Sequence, residues 1–161
     1  MSYEASVLQP QTSEELRAWL EQYCDGVTEH GEPNTWDVTL VTDMAELFRE
    51  LETFNAPIDR WDTSNVTNMK EMFAVATSFN QPLTLDTSQV TEMQMMFFGA
   101  TSFNNGGQPL TLNTSQVTDM QMMFFGATAF NQPLTLDTSQ VTEMQMMFGD
   151  ARLFNQPLTM D

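Results

Sequence analysis

The chain has 161 residues, enough for one domain with a slender, continuous core. Five Lys and Arg stand against 22 Asp and Glu, a formal charge of -17. That balance speaks against nucleic acid and against anionic membrane surfaces, which both select cations, and suits basic partners or divalent ions.

Residues 1–11 read as a tail. Residues 12–24 read as one amphipathic helix, with Thr12 and Glu15 as a capping box and Leu16, Trp19, Leu20 and Tyr23 at helical spacing. The stretch Asp25–Asn34, with Gly26, Gly31 and Pro33, reads as a loop. These segments form a first unit, 1–35, whose helix is expected to cap the near end of the second unit, 36–161.

From 36 to 161 the chain repeats itself. Val41, Val66, Val90, Val117 and Val141 hold the same place in successive copies, at steps of 25, 24, 27 and 24 residues. A unit of this size cannot bury its own apolar face, so the expected architecture is an α/β repeat solenoid. It is expected to be leucine-rich-repeat-like, with one short strand and one short helix per coil. Pro82–Asp86 alternates as a strand would, with Leu83 and Leu85 inward. Thr91 and Gln94 form a capping box for a helix whose inner face is Met93, Met96, Phe97 and Ala100, and Gly99 suits its end. The insertion Asn105-Gly106-Gly107 falls at a corner, where a loop can bulge without disturbing its neighbours.

The pattern TFNAPIDRWDTSNVTNMKEMFAVATSFNQPL resembles the repeat of the DUF285, or BspA-like bacterial surface protein, family. The resemblance covers about 36–161 and rests on W/L-D-x-S-x-V-T-x-M-x-x-M-F and S/A-F-N-x-P-L. It implies a leucine-rich-repeat-like solenoid and, in bacterial relatives, attachment to host or matrix proteins. It brings no catalytic residues.

Aligned copies turn identical residues into rows. The Asn row (Asn55, Asn80, Asn104, Asn131, Asn155) reads as buried side-chain amides bonding the backbone of the neighbouring copy. The Asp row (Asp37, Asp62, Asp86, Asn113, Asp137, Asp161) invites calcium. Asn113, which keeps an Asx turn without the charge, favours turn formation instead. The Thr rows (Thr84, Thr111, Thr135, Thr159 and Thr87, Thr114, Thr138) invite an ice-binding reading that strand and turn preferences explain as well.

One row breaks the polar pattern. Glu46 and Glu71 give way to Met95, Met122 and Met146; beside them Arg49 and Ala74 give way to Phe98 and Phe125. Exposed Met is adaptable, and an apolar patch marks an interaction site, so these five residues are the expected partner-binding surface. Burial of the row in the core is the competing reading.

Catalysis finds little support. The only histidine, His30, lies in the N-terminal loop, and Cys24 is the only cysteine. The expected function is therefore a non-enzymatic, protein-binding module without cofactor or metal. Assembly through its C-terminal end is the alternative, and an ice- or calcium-binding role the third. The start MSYEASVLQPQTSEEL lacks the features of a signal peptide, and no 18-residue apolar run occurs, so no membrane insertion is expected. An intracellular location is expected over the cell surface.

Overall fold

The N-terminal helix forms over Ser13–Cys24 (α1) in the computed structural model, which describes residues 7–161. The first six residues of the expected tail lie outside the described residues. Thr12 is the N-cap: its hydroxyl accepts the Glu15 N–H at 3.1 Å, and the Glu15 carboxylate accepts the Gln11 N–H at 2.6 Å. Leu16 and Leu20 are fully buried, with Trp19 and Tyr23 packed partly buried against the same core. The loop after α1 is pinned by indoles. Trp36 Nε1 donates to the His30 carbonyl at 2.6 Å and Trp61 Nε1 to that of Pro33 at 2.8 Å. No helix of the described residues is long and apolar enough to cross a membrane.

Beyond residue 35 the expected α/β repeat solenoid, leucine-rich-repeat-like with a strand and a helix in each coil, is not what forms. Among the described residues α1 is the one α-helix, and the strands are β1 (Leu134–Leu136) and β2 (Leu158–Met160). These two pair in parallel, Leu134 opposite Leu158 and Leu136 opposite Met160. The expected strand at Pro82–Asp86 is irregular, although Leu83 and Leu85 are buried as expected.

The stretch expected to be helical, Met93–Ala100, is a succession of tight turns. Three of its eight N–H groups bond locally: Met96 to the Met93 carbonyl, Phe98 to Met95 and Ala100 to Phe97, at 3.0–3.2 Å. The alternate N–H groups leave the segment. Met93, Met95, Phe97 and Gly99 donate to the carbonyls of Asp119, Gln121, Met123 and Phe125 at 2.8–3.1 Å. Left-handed φ angles at Met95 (57°) and Gly99 (62°) fold the chain back every four residues. An α-helix capped at Thr91 would have spent the Met95, Phe97 and Gly99 N–H groups on its own carbonyls. The same bonding links 44–50 to 68–74, 69–75 to 92–98, and 120–126 to 143–149.

Thr91 caps no helix. Its N–H donates to the Thr67 carbonyl at 2.9 Å, and its hydroxyl reaches the same oxygen at 3.3 Å. Gly99 ends no helix either, but occupies a left-handed turn position. The burial is nonetheless the expected one, with Met93, Met96, Phe97 and Ala100 each at 0% exposure. A four-residue turn and a 3.6-residue helix place i, i+3, i+4 and i+7 on one side alike, so the apolar spacing fits both.

The core is built on two columns of phenylalanine. Phe48, Phe73, Phe97, Phe124 and Phe148 stack at 4.8–5.5 Å between ring centroids. Phe54, Phe79, Phe103, Phe130 and Phe154 stack at 5.9–6.1 Å, and Phe97 meets Phe103 across the columns at 4.1 Å. At the α1 end, the Asp43 carbonyl takes the Ser13 hydroxyl, and Arg17 Nη1 donates to the carbonyls of Leu47 (3.1 Å) and Arg49 (2.8 Å). In later copies an upstream N–H fills those places.

The insertion is tied inward rather than left to bulge. Asn105, Gly106 and Gly107 all have positive φ, and Asn105 is buried. Its Oδ1 accepts the Leu83 N–H at 2.8 Å, and its Nδ2 donates to the carbonyls of Gln108 and Pro109 at 3.0 and 2.9 Å. Neighbouring copies stay in register across it.

Candidate partner-binding surface

The Met row occupies a special backbone position. Glu46, Glu71, Met95, Met122 and Met146 all have left-handed φ, between 53° and 58°, so the conformation is constant while the side chain changes. Met95 and Met122 are half-buried, and Met146 is 56% exposed. None belongs to a helix face, which corrects the geometry expected for the row; nor does the core swallow it.

Phe98 and Phe125, also half-buried, stack on each other at 5.3 Å and 10°. Their row runs on into Gly149, and Phe125 covers that glycine, so a Cβ there would meet the ring at 2.5 Å. The structure thus brings the five expected residues into one continuous pair of rows.

Charge divides the same two rows into unlike halves. Upstream, the Arg49 guanidinium contacts Glu71 at 2.9 Å, Glu46 at 3.1 Å and Glu50 at 3.4 Å. Those carboxylates, Glu71 foremost, raise its pKa. The cluster is largely solvated, so its net contribution to stability is about 0–1 kcal/mol. Downstream, no Lys, Arg or His occurs between Lys70 and Arg152. Glu92, Asp119 and Glu143 open the successive runs of turns there, joined to one another through single parallel bridges.

The remaining rows have hydrogen-bonding duties. The amide oxygens of Asn55, Asn80, Asn104 and Asn131 each accept the backbone N–H of the next Asn of the row, at 2.8–2.9 Å, as expected, though on half-buried or exposed rather than buried side chains. In the Asp row, Asp62, Asp86, Asn113 and Asp137 each accept the N–H of the residue two ahead at 2.9–3.2 Å, the Asx turn. Thr63, Thr87 and Thr114 are buried, and their hydroxyls donate to the carbonyls of Asp86, Asn113 and Asp137 at 2.9 Å. Among the described residues no group of three or more His, Cys, Asp and Glu is arranged to hold a metal ion.

These rows carry the motifs by which the chain can be compared with others. The family described as "Mycoplasma protein of unknown function, DUF285" matches residues 20–111 and 108–160. The chain belongs to the DUF285 family. The matched regions begin within α1 and include both phenylalanine columns and the whole Met/Phe surface. No curated protein matches the chain, and no solved structure does.

Sequence reasoning overlooked three contributors. Arg17 falls on the polar side of α1 by its spacing, and only the fold reveals the carbonyls it meets. Asn105 looked like loop filler. Gly149, by contrast, carried a readable signal: it replaces Phe in a row where the preceding Phe needs somewhere to lie.

Proposed function

We propose that this DUF285 chain is a non-enzymatic protein-binding module whose partner surface is Met95, Phe98, Met122, Phe125 and Met146. The supporting observation is the change of side chain on an unchanged backbone. The left-handed positions of Glu46 and Glu71, neutralised locally by Arg49, become Met with no structural requirement for it. Thioethers there are adaptable, and the neighbouring Phe pair offers a flat apolar contact. The triple substitution Met95→Glu, Met122→Glu and Met146→Glu tests the reading, since the same backbone already carries glutamate. Retained thermal stability with loss of every partner the wild type captures would support it. Capture of the same proteins by both forms would sink it.

The alternative is a subunit that assembles through the segment 144–150. Its specific support is the donor pattern: Met122 and Phe124 give their N–H groups to Gln145 and Met147, whereas those of Met146 and Phe148 meet no protein acceptor among the described residues. A segment with carbonyls at every second residue would complete them. Sedimentation across a concentration series separates the readings, because self-assembly needs no second protein.

A further inference from the structure

The partner's chemistry can be narrowed from spacing and charge, on the reading that the Met/Phe rows are a binding surface. On the surface itself, the stacked rings of Phe98 and Phe125 lie 5.3 Å apart, within the 4.8–6.1 Å range of the two buried columns. One turn of an α-helix advances about 5.4 Å, whereas two residues of a strand advance about 6.6–6.8 Å. At the spacing of the Phe98–Phe125 pair a helix stays in step, whereas a strand drifts by more than an ångström per row. Meanwhile the surface has no cation of its own, and Glu92, Asp119 and Glu143 precede the three Met residues by three positions each. A partner of matching charge is basic.

We infer that the Met/Phe rows bind a basic amphipathic α-helix of a partner protein, laid along the rows. Its apolar side chains at i, i+3, i+4 and i+7 meet Met95, Met122, Met146 and the Phe98–Phe125 pair, and its Lys or Arg face the acidic row. Flexible thioethers suit such a helix better than a rigid groove would, because they refit around different apolar side chains.

The test uses the full chain and three labelled synthetic peptides of about 14 residues, roughly four helical turns. One is a Leu/Lys peptide with Leu at i, i+3, i+4 and i+7; the second has the same composition in strict alternation; the third replaces Lys by Glu. Fluorescence polarisation at low and raised salt should show the helical Leu/Lys peptide binding at least about tenfold tighter than the other two. The variant carrying Met95→Glu, Met122→Glu and Met146→Glu should lose that binding although it adds negative charge, which isolates the apolar contribution. Glu92→Gln with Asp119→Asn and Glu143→Gln should flatten the salt dependence; Asn68 already shows that an amide is accommodated in that row. Equal binding of the alternating peptide, or tight binding of the Glu peptide that the Met→Glu variant abolishes, overturns the basic helix while the surface reading survives. If the Met→Glu variant binds every peptide as the wild type does, the surface reading itself falls.

Discussion

The ring of Phe125 lies over Gly149 so closely that a Cβ at 149 would stand 2.5 Å from Cδ2 and 2.6 Å from Cε2. Gly149 has no left-handed φ, so Gly149→Ala tests this contact without backbone strain. Because the ring is half-exposed and can swing away, the cost should be about 1–2 kcal/mol, at the lower end of overpacking penalties. Adding Phe125→Ala should relieve most of it. A thermal-unfolding double-mutant cycle with no coupling between 125 and 149 would refute the contact.

Asn105 should prove the most sensitive residue of the insertion. Asn105→Ala leaves the Leu83 N–H and two carbonyls without their partner in a buried place, a loss of about 1–3 kcal/mol. Gly107→Ala is the control, having a left-handed φ but nothing within 4 Å of its Cβ position. Chemical denaturation should rank Asn105→Ala clearly above it in cost.

Val75 is the one β-branched residue at a left-handed turn position, with φ of 58° where later copies have Gly99 and Gly126. Val75→Gly removes a conformational penalty of about 1–2 kcal/mol, partly offset by the entropy of glycine in the unfolded chain. The variant should melt at or above the wild-type temperature. A marked fall in melting temperature would mean that Val75's contact with the Gly99 position matters more than its backbone.

Two adjacent classes of position should respond differently to truncation. Phe97→Ala removes a ring stacked on Phe73, Phe103 and Phe124 and should cost about 3–5 kcal/mol. Gln94→Ala should be close to neutral, since its buried Oε1 has no hydrogen-bond partner and the row also accommodates Ala45. Similar losses for both would remove the distinction between the column and its flank.

Acid should weaken the fold through the Asx turns. Asp62, Asp86 and Asp137 sit below the usual carboxylate value of 3.8, chiefly because the hydroxyls of Ser64, Ser88 and Ser139 donate to them, with the backbone N–H groups second. A carboxylate whose folded pKa is depressed stabilises fully above its unfolded value, and that stabilisation is lost as pH falls through the folded one. Replacing all three by Asn, the residue at 113, should keep the turns and shrink the loss of melting temperature below about pH 4. An unchanged acid profile would remove these three groups from the account.

How far the sequence could be read depended on whether a residue's role was local. Thr12, Glu15, Leu16 and Leu20 specify α1 through neighbours three or four positions away, and that helix is where the spacing put it. The Asn row was legible because one amide per copy has a single sensible use. Inward positions such as Met93 and Phe97 were legible too, since burial follows apolarity whatever the backbone does. The conformation between them was not, because the N–H groups of Met93, Met95 and Phe97 are claimed by carbonyls 26 residues away. Long-range pairing overrode the helix preference of a Met- and Gln-rich run. Gly99 and Gly126, each four residues beyond a Met of the row, were the available hint of positive φ.

The one-way donation of N–H groups from each run of turns to the next has a kinetic side. Every such join closes a loop of nearly the same length, 23 to 26 residues, so closure entropy differs between joins by only about 0.1 kcal/mol. No join is favoured by its length, and the point at which ordering begins is left to side chains. The run 44–50 has the advantage, since Arg17 and Ser13 can satisfy its outward carbonyls from a helix that forms locally. The amides of Met146 and Phe148, bonded to nothing among the described residues, are where deuterium should enter first, with protection rising copy by copy toward α1.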